Sequence, residues 1–426
     1  SGSVTSAEGE QLIGATVKLT KGTQFVRGGI TDIDGNYRIS VDPGTYDVKV
    51  TYTGYAESVT TGVQVLTGKI NTYDVVLKSS TILDEVVITD YKVPLVKQDE
   101  TSTGQTLTSE NIKHLPTRSV SQIVATTAGA TSIDGGDINI KGARTNGTNY
   151  YIDGIRVQGT PPPVQDIEQL QVITGGLGAE MGDVTGGVIS VVTKGPASEY
   201  HGAIEVENSN GLDPYGWLLA QANVSGPIIK KKLSDGSTRT LLGFRMSGQY
   251  HKQKDDDPPA QPIYHIKPSV LSYLERHPLR LENGIVISSA EQLTNDSMEI
   301  LKYRPDEGRQ DIDVTGKLDL RLSEQMDMSV TGTFRDTRNQ FTPEERQDRP
   351  MWRAINSQNN PTVYQNRYRV LARFRHRLGS GDATSKSSNK IAISNASYQL
   401  QFGFERGTER RYSAQHKDRY FDYGYI

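Results

Sequence analysis

From residue 200 onward the chain alternates apolar and polar side chains over long runs. Leu242, Phe244, Met246, Gly248 and Tyr250 share one face, and Gly243, Arg245, Ser247, Gln249 and His251 the other. Ile312, Val314, Gly316, Leu318, Leu320 and Leu322 likewise oppose Asp311, Asp313, Thr315, Lys317, Asp319 and Arg321. Met326 to Phe334, Tyr368 to Leu378 and Ala396 to Phe404 repeat the design, with Asp327, Arg335, Arg369, Arg373 and Arg375 on opposite faces. A period of two is the signature of a β-strand. Soluble sheets alternate too, so length decides: these runs of about 10 to 13 residues match the roughly 9 to 11 of a tilted bilayer-spanning strand, whereas globular strands average about 5 to 6. Ser323-Glu324-Gln325 is a tight turn, while the links 252–310 and 339–363 are long, and that alternation of short and long connections marks an outer-membrane barrel. About seven or eight strands fit, against about 22 in a plugged barrel.

The first 79 residues carry shorter strands. Ala15, Val17 and Leu19 alternate with polar neighbours, as do Tyr46, Val48, Val50 and Tyr52. Asp34-Gly35-Asn36 predicts a hairpin, Pro43-Gly44 a further turn, and Tyr73, Val75 and Leu77 a closing strand. A small β-sandwich results. Asp32, Asp34 and Asn36 also match the start of a calcium loop, but the bidentate Glu near its twelfth position is missing and a turn explains Gly35.

Residues 80–105 form a polar linker around the β-prone run Leu83-Asp84-Glu85-Val86-Val87-Ile88-Thr89. That run suits pairing with another protein's sheet edge, or equally a last strand of the preceding sandwich. Residues 106–195 are mixed α/β. Thr108 or Ser109 caps a helix holding Ile112 and Leu115, and Ser119 caps another through Val120, Ile123 and Val124 to Gly129. Strands follow at 138–141, 149–152, 169–173 and 188–192.

Composition narrows the classes. The 426 residues hold no cysteine, carry a net charge of −3, and contain no run of 18 apolar residues, so disulfides, thiolate metal sites, nucleic acid and a transmembrane helix are not expected. Seven scattered histidines, without H-E-x-x-H or G-x-S-x-G, predict no catalytic residue, metal or cofactor, and no enzyme. Gly176 to Gly182 misses the dinucleotide spacing, and a strand follows where a helix is needed. Ser1-Gly2-Ser3-Val4 carries no leader pattern and Arg419 to Ile426 stops within a strand-like run, so the sequence reads as part of a longer polypeptide.

Two resemblances follow from these residues. Gly14-Ala15-Thr16-Val17, Thr31 to Tyr37, Pro43 to Tyr46 and Gly54-Tyr55 resemble the carboxypeptidase-regulatory-like domain. Three segments resemble the TonB-dependent outer-membrane receptors of the Bacteroidota type. These are the box at 83–89; Ile138 to Arg144 with Tyr150 to Ile155; and Ile167 to Gly176 followed by Ala179 to Gly182 and Gly186 to Lys194. Lys141 stands where Arg is commoner.

The resemblance implies a mainly β chain in four parts: a regulatory-like sandwich (1–79), TonB box and linker (80–105), an α/β plug (106–195) and the N-terminal strands of a large antiparallel transmembrane β-barrel (196–426). It implies a TonB box of Asp84, Glu85, Val86, Val87, Ile88 and Thr89, and plug-motif residues Gly142, Arg144, Asp153, Gly154, Glu180, Gly182, Gly186 and Gly187. The glycines at 175, 176, 182, 186 and 187 are expected to permit positive φ and close approach to the wall. Arg144 and Glu180 are expected either in a plug-to-wall ion network or as solvated charges. The implied role is proton-motive import through the outer membrane, with the N-terminal domain in the periplasm. Partners are TonB and outer-membrane lipids, with a surface lipoprotein lid or other outer-membrane proteins as further candidates. Alternatives are a receptor-like structural subunit of a larger outer-membrane assembly and a secreted β-rich adhesin.

Overall fold

A computed structural model describes residues 1–22, 24–67, 70–79, the backbone of 86–90, 103–133, 136–159, 161–178, 181–232, 238–323, 325–343, 352–378 and 396–419. The N-terminal strands are β1 (Gly2–Ser6), β2 (Thr16–Lys21), β3 (Gln24–Ile30), β4 (Asn36–Tyr37), β5 (Gly44–Thr51), β6 (Glu57–Val65), β7 (Val75–Leu77) and β8 (Val86–Asp90). They form two sheets, β4-β1-β7 and β3-β2-β5-β6-β8. Val4, Val17, Val48, Val50 and Leu77 fill the space between. Alternate residues of β5 point inward, as its pattern requires.

One turn differs from expectation. Asp34-Gly35-Asn36 does not join β3 to a hairpin partner, because β4 crosses to the other sheet and pairs with β1. The cause is local: the Asp32 Oδ1 accepts the amides of Asp34 (3.0 Å) and Asn36 (2.9 Å), and Gly35 turns the chain at φ 72°. Tyr37 is thereby buried, and its hydroxyl donates to the Tyr73 carbonyl at 2.6 Å. The Asp32 carboxylate serves the turn, as the simpler sequence reading has it.

The middle region comprises β9 (Thr103–Thr108), α1 (Ser109–Lys113), α2 (Val120–Ala125), β10 (Ala130–Ser132), β11 (Ile138–Ile140), β12 (Asn149–Ile152), β13 (Ile155–Val157), β14 (Ile167–Gly175) and β15 (Val188–Thr193). Thr108 caps α1 in a reciprocal box with Asn111, and Ser119 stands at the N-cap of α2. The second helix ends at Ala125, ahead of Gly129. The main sheet runs β13-β12-β15-β14-β9 over a core of Ile123, Ile140, Ile167, Leu170, Val172 and Ile189. Its edge strand β9 starts at Thr103, inside the expected linker. Thr103-Gly104-Gln105-Thr106 has no apolar alternation, so backbone pairing with β14 alone makes it a strand.

Next come β16 (His201–Asn208), β17 (Leu218–Lys232) and β18 (Thr238–Gln253). A long insertion carries β19 (Ile263–Ile266), α3 (Pro268–Arg276), β20 (Leu279–Glu282), β21 (Ile285–Ser288) and β22 (Met298–Leu301). The series closes with β23 (Arg309–Arg321), β24 (Met326–Gln340), β25 (Thr362–Leu378) and β26 (Ala396–Tyr412). The seven long strands pair antiparallel in the order β16-β17-β18-β23-β24-β25-β26. From β17 on they run 13 to 17 residues, longer than the alternation suggested. Strand β17 breaks the strict period because its register shifts at Pro227 and again at Ile229.

This sheet buries the opposite face from a soluble one. Arg245, Asp311, Asp313, Thr315, Lys317, Thr331 and Arg369 are each below 9% exposed. Ile204, Met246, Leu318, Leu400, Phe402 and Phe404 are 48 to 83% exposed. In water that arrangement is unfavourable on both faces; with hydrocarbon outside and a polar domain inside it is the stable one.

Candidate functional site

The ionic face of the long sheet closes on the middle domain at several points. Asp153 sits at φ 49° beside Gly154 at φ 85°, in the two-residue turn between β12 and β13. That turn demands left-handed backbone at both positions, which Asp and Gly tolerate. Asp153 Oδ1 accepts the Thr193 amide at 2.8 Å, and Oδ2 accepts the Thr193 hydroxyl at 2.6 Å. Lys317 on β23 reaches in from the wall, its Nζ donating to Asp153 Oδ2 at 3.2 Å and to Thr193 Oγ1 at 2.7 Å. Both charged side chains are under 10% exposed.

A second clamp joins Asp166 to β18. Arg245 donates to Asp166 Oδ1 at 3.2 Å and Ser247 to Oδ2 at 2.7 Å, while Gln165 Nε2 donates to the Gly248 carbonyl at 3.1 Å. A third uses Arg369 of β25, which donates to the Gln158 carbonyl (2.9 Å) and to Glu405 of β26 (3.1 Å). Arg118 completes the contact with β16 through Glu205 and Glu207, at 2.8 and 3.0 Å. Around the β12–β13 turn, Ile152 and Val157 pack on Leu371 of β25. Strands β16, β18, β23, β25 and β26 therefore all touch the same domain. A lone buried charge is costly, whereas a charge held by a counter-ion and hydroxyls is tolerated.

The predicted plug-motif residues divide. Asp153 and Gly154 lie at the first clamp. Gly142 follows Lys141 in a second left-handed turn, at φ 73° and 50°. Gly187 has no room for a side chain: a Cβ there would lie 2.6 Å from Ile140 Cδ1 and 2.7 Å from the Ile173 carbonyl oxygen. Gly186 approaches Ala143 and Gly147 in the same way. The crowding is thus inside the domain rather than against the wall, and of the five expected glycines it is Gly176 that takes positive φ, at 66°. Gly182 is exposed in the loop before β15. Arg144 is exposed beside a short 3-10 turn and has no ion pair among the described residues, and Glu180 lies outside them. Sequence reasoning missed Asp166, Gln158, Thr193, Arg245, Lys317 and Arg369 as partners. For Arg245, Lys317 and Arg369 the signal was a polar side chain on the ionic face of a strand, shared by many other positions.

The sandwich is attached to the same assembly. Gln169 of β14 donates to the Val65 carbonyl at 2.7 Å and accepts from the Thr67 amide at 3.2 Å. Asp42 meets Arg375 of β25 at 2.7 Å. Burial opposes ionisation of Asp42, but Arg375 and Arg373 outweigh it and hold the carboxyl down to about 2. Of the expected box, Val86 to Thr89 lie in β8, which pairs parallel to β6 with Val87 opposite Ser58. Asp84 and Glu85 lie outside the described residues.

Comparison with known proteins identifies two of these domains. Residues 1–78 match the model of the Carboxypeptidase regulatory-like domain, and residues 96–188 that of the TonB-dependent Receptor Plug Domain. The chain carries the plug of a TonB-dependent receptor. It is 27% identical over 308 residues to the TonB-dependent transporter Oar of Myxococcus xanthus, covering 60% of this chain and 29% of that protein. It is 33% identical over 98 residues to the probable TonB-dependent siderophore receptor PirA of Acinetobacter baumannii, covering 22% and 12%. The crystal structure of the siderophore receptor PirA from Pseudomonas aeruginosa matches with a TM-score of 0.45 at 15% identity, over 72% of this chain and 41% of that one. The chain thus spans less than a third of the length of these two curated relatives. The clamps are therefore contacts between the matched plug domain and the long-stranded sheet.

Proposed function

We propose that the chain is the periplasmic front end, plug and first wall strands of an outer-membrane importer, driven through TonB and carrying out no catalysis of its own. The inverted burial of the long sheet supports this most directly, because a wall with charges facing a plug and apolar side chains facing out belongs around a gated passage. Substrate binds from outside, and TonB engages the box at Asp84 to Thr89. Pulling then remodels the plug, whose ties to the wall are largely ionic and hydrogen-bonded and so exchange for water when the plug shifts.

Strand β8 supports the choice of box. It is a terminal strand of its sheet, with one edge on β6, and strand addition requires such an edge. Replacing Val87 by Pro removes an amide donor and disfavours the strand. Uptake in cells should then be abolished, while the amount of receptor folded in the outer membrane is unchanged. Uptake or function that persists at the wild-type rate in the Val87→Pro strain refutes TonB dependence and favours a structural subunit of a larger outer-membrane assembly.

A further inference from the structure

The outward face of the wall shows where its apolar band ends. On β18 the last apolar or aromatic outward residue is Tyr250, and exposed Lys252 follows; on β24 it is Phe334, before Asp336; on β26 it is Phe404, before Arg406. Cross-strand register sets Asp336 level with Tyr250 through Ile312, and Arg406 level with Phe334 through Tyr368. The boundary therefore steps down by two residues from β18 to β24 and by two more from β24 to β26. A flat interface cutting tilted strands produces that descent, so this line is where hydrocarbon gives way to headgroups. The long links 254–308 and 341–361 lie at this end, with the Ser323 turn and the Asp42–Arg375 contact to the sandwich at the other. The headgroups are those of the outer leaflet.

Aromatic side chains line the boundary. The rings of Phe334 and Tyr368 are 5.0 Å apart between centroids, and Tyr364 stacks on Tyr412 at 4.6 Å. Three arginines stand among them. Arg338 is opposite Tyr364 and Tyr364 opposite Arg410, which sets the two arginine backbones about 10 Å apart. Arg406 shares the face of Arg410, about 14 Å away along β26. Between them Asn366 and Thr408 face each other as further hydrogen-bonding groups. On the outward face of β24, β25 and β26 the only described carboxylate is Asp336, which accepts from Arg338 Nε at 3.1 Å. The side chains of Arg406 and Arg410 are exposed and take part in no hydrogen bond or ion pair among the described residues.

In bulk water two such arginines need no partner. Here they stand at the edge of hydrocarbon, just beyond Phe402, Phe404 and Val370, which are 61, 51 and 41% exposed. A ligand that matches both surfaces is an amphiphile, with acyl chains on the apolar band and an anionic headgroup on the arginines. Planar guanidinium forks match phosphate oxygens two by two. We propose that Arg338, Arg406 and Arg410 hold the phosphorylated headgroup of an outer-leaflet lipid, whose acyl chains lie along Phe402, Phe404 and Val370. This goes beyond the import reading and does not depend on it, since lipid binding and uptake are measured separately.

The test titrates the intact protein in neutral detergent with a bisphosphorylated diglucosamine acyl lipid, and with the same lipid stripped of its phosphates. Native mass spectrometry counts the lipid bound. The wild type should bind the phosphorylated form at least about tenfold more tightly. Arg406→Gln/Arg410→Gln should remove that preference. Arg411→Gln should keep it, because Arg411 lies on the inner face of the same strand, paired with Glu409 at 2.7 Å. Equal binding of the two lipids by the wild type overturns the proposal, as does a preference that survives in the double variant. So does an equal loss in Arg411→Gln, which would mark a response to net charge alone. Inorganic phosphate that displaces the lipid at equal concentration would make this a site for free phosphate and overturn the proposal too.

Discussion

Lys317 of the wall and Asp153 of the plug, 164 positions apart in sequence, meet at 3.2 Å with Thr193 bonded to both. One buried pair thus locks the β12–β13 turn, the end of β15 and the fourth long strand, β23, into a single unit. Removing one partner leaves a charge buried without compensation, at a cost of about 3 to 5 kcal/mol, whereas replacing both removes the uncompensated charge.

Lys317→Met should therefore destabilise the plug by about 3 kcal/mol or more, and Lys317→Met with Asp153→Asn should recover much of that loss. Hydrogen exchange at the amides of β15 reads both effects. Equal and additive losses in the two single variants would show that the residues do not act as a pair.

Gly187 and Gly332 make a matched comparison. A methyl at Gly187 meets Ile140 and the Ile173 carbonyl, while nothing lies within 4 Å of one at Gly332. Gly187→Ala should cost about 1 to 3 kcal/mol of plug stability by overpacking, and Gly332→Ala close to none. Urea titration of the plug signal in detergent distinguishes the two.

Leu318 lies mid-strand on the outward face, 48% exposed, paired with Phe244 and Val330. Leu318→Arg should reduce folding stability in lipid vesicles by about 2 to 4 kcal/mol, the cost of a cation on the lipid face near the midplane. In detergent with more water access the penalty should shrink. A penalty that is absent in vesicles would argue that this face does not meet hydrocarbon.

Docking of the sandwich should depend on pH through Asp42. Its folded carboxyl is held at about 2, below the roughly 3.9 of an unfolded chain. A depressed carboxyl contributes stability above the unfolded value and loses it as pH falls toward the folded one. The distance between a fluorophore on the sandwich and one on the Ser323 turn should therefore hold steady down to about pH 4 and lengthen between about 4 and 2. Asp42→Asn should weaken docking at pH 7 and remove that part of the pH dependence.

Much of the architecture was legible because it rests on short-range rules. The period of two over Ile312 to Leu322 identified β23 and its two faces, and Thr108 and Ser119 marked both helix starts. Asp153-Gly154 stood out within a motif. Elsewhere local signals failed for definite reasons. Strand β9 has a polar sequence and exists because β14 offers an edge; β4 pairs with β1 instead of its expected partner, which buries Tyr37 with its hydroxyl on the Tyr73 carbonyl; β17 lost its period at two register shifts.

The sequence by itself determined that this chain has strands long enough to cross a bilayer, which face of each is greasy, and that a small β-sandwich and a mixed α/β region precede them. Periodicity and turn chemistry act between near neighbours, so one chain segment suffices to read them. Only the tertiary structure decided that Lys317 meets Asp153, that Arg245 meets Asp166, and that Val86–Asp90 lies along β6. Those pairings bring together residues dozens to hundreds of positions apart, and an inward lysine looks the same in sequence whether its partner is an aspartate or water.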